Sequence, residues 1–153
     1  MSFEDPEETL KAILGGVALK MDDDTAIPPD KVLIGSEFEE KLLSNYFAVL
    51  TVSLGDGGDE HIINAALQRH VIEVYTVKCF TKDAEGLSAR RLLWNAIYEV
   101  KRVVGASSKS PGGILKMIGV IGVKKSVRIE PTPRLYAAEI RVKTHRFPKV
   151  GEP

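Results

Sequence analysis

The sequence predicts an α+β fold: a small, mostly antiparallel sheet packed against one long helix, with an N-terminal helix in front. Four stretches carry this reading. Val71 to Phe80 reads as a strand that is apolar on both faces. Ala89 to Val104 reads as a helix with a single apolar stripe. Val127 to Glu130 and Leu135 to Thr144 read as two strands around a Pro-Thr-Pro corner.

The chain has 153 residues, which predicts one domain over 1–153 that can bury a core without staples. It divides into an N-terminal helix at about 6–21, a linker at 22–30, an α+β core at 31–146 and a tail at 147–153. Hydrophobic residues make up 44% and charged residues 27%, in the range of a soluble globular fold. Lys plus Arg equals Asp plus Glu at 21 each, which argues against a strongly basic nucleic-acid binder. The charge segregates along the chain, however. Residues 1–60 hold most of the acid, and 101–149 are rich in Lys and Arg. Two unlike faces suit self-association in which one face meets a different face of a neighbour.

Asp5-Pro6-Glu7-Glu8 reads as a helix start, with Asp5 as cap, Pro6 at the first position and two glutamates at the positive end of the dipole. Leu10, Ile13, Leu14, Val17 and Met21 recur at helical spacing, interrupted by Gly15-Gly16. Asp22 to Asp30 reads as a solvated linker, because three aspartates and Pro28-Pro29 cannot continue a helix. Lys31 to Ile34 is a short apolar stretch, and Ser36 with Glu39 forms a capping box for a short helix to Leu43. Phe47 to Leu54 alternates as a strand, and Gly55 to Glu60 reads as a flexible loop.

The long strand follows, with Ile72, Val74 and Phe80 on one side and Val71, Tyr75, Val77 and Cys79 on the other. That pattern predicts a central strand covered on both faces, at least partly. Ser88 is the expected cap of the helix, which places Leu92, Leu93, Ala96, Ile97, Val100, Val103 and Val104 inward. Gly105 is the expected left-handed stop, and Ala106 to Gly113 a small-residue loop. Ile114 to Val123 reads as a bent strand or bulge at Gly119 and Gly122. In the last strand Tyr136, Ala138, Ile140 and Val142 alternate with Glu139, Arg141 and Lys143, which predicts a sheet with one wet face.

Tests for chemistry find no catalytic constellation, so no catalytic residue, metal or cofactor is expected. His61, His70 and His145 share no metal-ligand spacing with one another or with Cys79. Asp56, Asp59, Glu60 and His61 fall together at 55–61, a candidate cation loop whose composition is also that of an ordinary hairpin turn. There is no Gly-x-Ser-x-Gly elbow and no phosphate loop. A single cysteine in an apolar strand predicts a buried, inert thiol and no internal disulfide. No apolar run is long enough for a membrane helix, and the acidic N-terminus has the wrong charge for a secretory signal, so a cytoplasmic site of synthesis and assembly is expected. Arg90-Arg91 and Lys101-Arg102 lie on the helix face away from the core. With Asp56, Asp59, Lys109, Lys124 and Lys125 they are the candidate contacts to neighbouring copies, a tube or DNA.

Gly119-Val120-Ile121-Gly122, followed by Lys124-Lys125, looks like the Gly-x-x-Gly loop with which KH domains clamp a nucleic-acid backbone. It departs from that pattern in carrying Val and Ile between the glycines, with strand-like flanks.

The order of elements resembles another family over most of the chain, from Glu7 to Thr144. The carrying segments are the N-terminal helix, the acidic linker, Lys31-Val32-Leu33-Ile34-Gly35 and Ala48-Val49-Leu50-Thr51-Val52. Gln68 to Val77, a helix of about four turns and Tyr136 to Val142 follow. This pattern is similar to that of the tail-terminator and head–tail joining (neck) proteins of long-tailed bacterial and archaeal viruses. The resemblance implies a small sheet with helices against it and no catalysis. It also implies a ring, commonly of six copies, that caps the tail tube and joins it to the neck in the virion, with DNA passing through its lumen. Its implied partners are copies of itself, tail-tube proteins and connector proteins, with the segments Gly55 to Glu60 and Ala106 to Gly113 as candidate contacts. The apolar Ile114 to Val123 segment and the Ser36 to Asn45 stretch depart from the pattern, leaving another neck or tail-completion role open.

Overall fold

The computed structural model describes residues 6–20, 23–35, 47–62, 69–83, 88–106, 115–128 and 135–146. Within them the fold is α+β. The elements are helix α1 (Pro6–Leu14), strands β1 (Ala18–Lys20) and β2 (Asp23–Ala26), a 3-10 turn (Pro29–Lys31), β3 (Val32–Ile34), β4 (Ala48–Ile62), β5 (Arg69–Lys82), helix α2 (Ala89–Gly105), β6 (Leu115–Arg128) and β7 (Leu135–Arg146). A five-stranded sheet runs in the order β3-β4-β5-β7-β6. Only β3–β4 is parallel; the other ladders are antiparallel. β1 and β2 form a separate two-stranded ribbon.

Four boundaries differ from the sequence expectation. The N-terminal helix, expected over 6–21, stops at Leu14. The amides of Gly15, Gly16 and Val17 donate to carbonyls three residues back, which tightens the last turn and ends it. A Cβ on Gly15 would sit 3.2 Å from the Ala12 carbonyl oxygen, so the tight turn favours glycine there. The expected linker 22–30 contains β2 and the start of the 3-10 turn. Gly55 to Glu60, expected as a loop, continues β4 as far as Ile62. A register shift between Leu54 and Gly58 absorbs the glycines as an irregularity in the ladder. Likewise Val127 and Arg128 belong to one long strand, β6, with register shifts around Gly119 and Gly122, as the bent-strand reading expects. The short helix expected from Ser36 to Leu43, the Asp5 cap, the loop after Ala106 and the tail lie outside the described residues.

The core forms where α2 crosses one face of the sheet. Leu93, Ala96, Ile97, Val100, Val103 and Val104 pack on Leu50, Val52, Tyr75, Val77, Cys79, Ala138, Ile140 and Val142, with Leu10, Leu14 and Val17 closing one end. The alternation in β7 is as read: Ala138, Ile140 and Val142 are fully buried, while Glu139 and Arg141 are exposed. On β5 the face of Val71, Tyr75, Val77 and Cys79 is buried, and Ile72, Val74 and Phe80 on the other face are half-buried. Burial pushes the Cys79 thiol up to about 12, which leaves it protonated and inert at ordinary pH.

On the face away from α2, Val49 and Thr51 are buried as well, and the Thr51 hydroxyl finds no hydrogen-bond partner among the described residues. Two substitutions separate packing from polarity here. Ile140→Ala removes a fully buried side chain at the sheet centre and lowers unfolding free energy by about 2–5 kcal/mol, read from the urea midpoint. Thr51→Val replaces an orphaned hydroxyl with a methyl of like shape and raises stability, by about 1 kcal/mol in the same assay.

Candidate interaction surfaces

The start of α2 is fastened to the end of β5. Thr81 Oγ1 donates to the Ala89 carbonyl at 2.8 Å, and the Ala89 amide donates to Asp83 Oδ1 at 2.7 Å. Ser88 caps the helix as expected, its Oγ accepting from the Arg91 amide at 3.3 Å. At the other end the helix runs through Gly105 instead of stopping there in a left-handed turn. The C-cap is Ala106, with φ −76° and ψ −13°. Right-handed geometry at Ala106 leaves Gly105 no special role in the turn.

The candidate cations on this helix divide into two groups. Arg90, Arg91 and Lys101 are exposed, as expected. Arg102 is exposed too, but it is engaged within the chain. Its Nε donates to Glu99 Oε2 at 2.6 Å and its Nη2 to Oε1 at 3.0 Å, a two-pronged ion pair. Nη2 also reaches the Gly16 carbonyl at 3.4 Å. Glu99 Oε1 in turn accepts the Ala18 amide at 3.0 Å. Glu99 and Arg102 thus tie the segment after α1 onto α2. The Arg102 guanidinium holds the Glu99 carboxyl below its ordinary value, partial burial opposes that shift, and the Ala18 amide adds to it.

Two further residues share the outward face and do not stand among the sequence-derived candidates. Trp94 is 49% exposed and Tyr98 is 65% exposed. The signal for them is their spacing: they stand four residues apart inside the charged stripe rather than the apolar one.

The remaining candidates fall on the sheet. Asp56 and Asp59 lie on β4, and Lys124 and Lys125 on β6, the strand at the far end of the sheet order. Lys109 lies outside the described residues. The strand sequences make the contrast sharper. β4 carries Asp56, Asp59 and Glu60 with no Lys or Arg, whereas β6 carries Lys116, Lys124, Lys125 and Arg128 with no acid. Between them, on the wet face, Lys78 Nζ and Glu139 Oε1 stand 4.0 Å apart across β5 and β7.

Two chemical readings lose their setting. The candidate cation loop at 55–61 lies within β4 and pairs with β5 from Gly58 onward, with His61 opposite His70. Among the described residues no three His, Cys, Asp or Glu side chains cluster as metal ligands. Gly119 and Gly122 lie within β6, opposite Lys143 and Arg141, not in a loop between helices, so the KH-like clamp is not formed there. A groove of about 320 Å³ runs between α1 and the 3-10 turn, lined by Glu8, Lys11, Ala12, Gly15, Pro29 and Val32. It brings together one acid and one base and no nucleophile. No helix among the described residues is long and apolar enough to cross a membrane.

A scan against protein-family models finds no match for the chain, and a search of curated proteins finds no relative.

The Glu99 tie is testable by pH. Glu99→Gln lowers stability at neutral pH by about 1 kcal/mol, a figure trimmed by screening because Arg102 is half exposed. A carboxyl whose folded value is depressed stabilises above its unfolded value, here 4.5, and loses that contribution as pH falls through the folded value. Urea midpoints for the parent and Glu99→Gln therefore differ at pH 7 and converge towards pH 3.

Proposed function

We propose that this chain is a structural building block that closes, copy against copy, into a homo-oligomeric ring. We identify that ring with the one that terminates a viral tail tube and joins it to the head or neck. The observation that carries the ring is the state of the two sheet edges. β3 covers β4 only along Leu50 to Val52, with Gly35 donating one further bond to the Val52 carbonyl. From Ser53 to Ile62, about 33 Å of strand, no further strand among the described residues pairs with that side of β4. The outer side of β6 is open in the same sense along Leu115–Arg128. Open edges are templates for pairing with another chain, and soluble proteins cover or blunt them. Here the two edges are long and carry opposite charge, acid on β4 and base on β6.

The geometry of a ring follows from strand direction. β4 and β7 run one way, and β5 and β6 the other. Rotation about a ring axis preserves each strand's sense along that axis. The β6 edge of one copy therefore meets the β4 edge of the next antiparallel, the geometry that already holds most of this sheet together. The contact joins unlike surfaces, so it repeats around a circle rather than stopping at a pair. The number of copies, six, comes from the sequence resemblance.

Light scattering gives a closed oligomer of about six chains if the resemblance extends to its stoichiometry, and negative-stain images give rings. Lys124→Glu with Lys125→Glu places acid against acid and weakens assembly at least tenfold; adding Asp56→Lys and Asp59→Lys restores it. A strict monomer at high concentration, or assembly indifferent to both charge swaps, rejects the edge contact. Genes for capsid, portal or tube proteins beside this one support the tail-joining role, and their absence counts against it.

A further inference from the structure

We infer that the outward face of α2 is a docking surface for an acidic segment of another polypeptide. Arg90, Arg91, Trp94, Tyr98, Lys101 and Arg102 fall within one third of the helical circumference at 100° per residue, opposite the buried stripe. No acid interrupts this arc: Glu99 lies outside it, bonded to Arg102 and to the Ala18 amide. Tyr98 stands near its centre at 65% exposure, with Trp94 one turn away at 49%. Trp94 and Tyr98 both lie outside the buried stripe that packs the helix on the sheet.

The residue types decide the kind of partner. Trp, Tyr and Arg are the side chains that dominate protein–protein binding energy when covered. Two aromatic bodies between cations fit a segment that presents carboxylates at its ends and an apolar side chain in the middle. Arg90 to Lys101 spans about 17 Å of helix, the reach of about five extended residues. A nucleic acid would also meet cations and stacking rings, but three outward cations beyond the Glu99–Arg102 pair make few phosphate contacts, and the chain has no net positive charge. The surface lies on the outer side of α2 rather than at a sheet edge, so it stands whether or not copies pair through β4 and β6.

Trp94 is the chain's only tryptophan, so its emission reports this surface alone. The probe is a short glutamate-rich peptide with one central leucine, titrated against the full chain, with a lysine-rich peptide of equal length as control. The expected result is a saturable blue shift with the acidic peptide only. Arg90→Glu with Arg91→Glu, checked for folding by circular dichroism, weakens it at least tenfold, while Lys124→Glu with Lys125→Glu leaves it unchanged. No saturable shift overturns the proposal. So does an equal shift from oligothymidine of matched charge, which makes the ligand a nucleic acid. A blue shift produced by raising the chain's own concentration, without peptide, makes the occupant a second copy and also overturns it.

Discussion

The constraint on which the rest depends is the mismatch between a 17-residue helix and the long strands beneath it. Helix α2 covers about 25 Å, whereas β4, β5 and β6 each run about 46–50 Å. One helix therefore seals only part of one sheet face. It is fastened beside the β5–β7 centre by Thr81, Asp83 and a fully buried set that includes Val77, Ile140 and Val100. Everything this pairing leaves uncovered must be solvated, paired within the chain, or met by another molecule.

The Glu99–Arg102 pair belongs to the second class. Its worth is not the ion pair alone, since exposed pairs contribute little. Glu99 also satisfies the Ala18 amide and Arg102 reaches the Gly16 carbonyl, just where α1 ends in two glycines. The amides of Gly15, Gly16 and Val17 bond back within that turn, and α2 supplies partners for the Gly16 carbonyl and the Ala18 amide. A residue that charge counting assigns to a partner is here part of the scaffold.

How much of this was legible in the sequence depends on which signals were redundant. The β7 alternation and the α2 stripe were readable because burial on one face imposes period 2 or 3.6 on every residue type involved. The Ser88 cap was readable because its chemistry is local. The Gly55 to Glu60 stretch misled because glycine and aspartate mark turns, and nothing local shows that β5 is long enough to hold them in a ladder. Gly105 misled for the converse reason: a glycine near a helix end suggests a left-handed stop, yet the backbone keeps right-handed values at Ala106. Trp94 and Tyr98 escaped because a search for an apolar stripe sorts aromatics into the core, and these two lie opposite it. The opposed charge of β4 and β6 was visible only as an uneven distribution along the chain. Sheet order carries that distribution toward the two opposite ends of the sheet, because β4 and β6 lie on either side of the β5–β7 pair.

That sheet order also separates the two surfaces in kind. An edge offers backbone groups in a fixed repeat, so it selects for a strand of the right sense and is indifferent to most side chains. In the proposed ring, charge would do what backbone cannot: acid on β4 and base on β6 disfavour like pairing and favour the unlike one. The α2 face offers no free backbone, only side chains on a rigid rod, so whatever binds there is chosen by aromatic fit and carboxylate placement. On the two proposals together, the edges would be left to copies of the chain and the α2 face to a different molecule, because neither surface uses the groups the other needs.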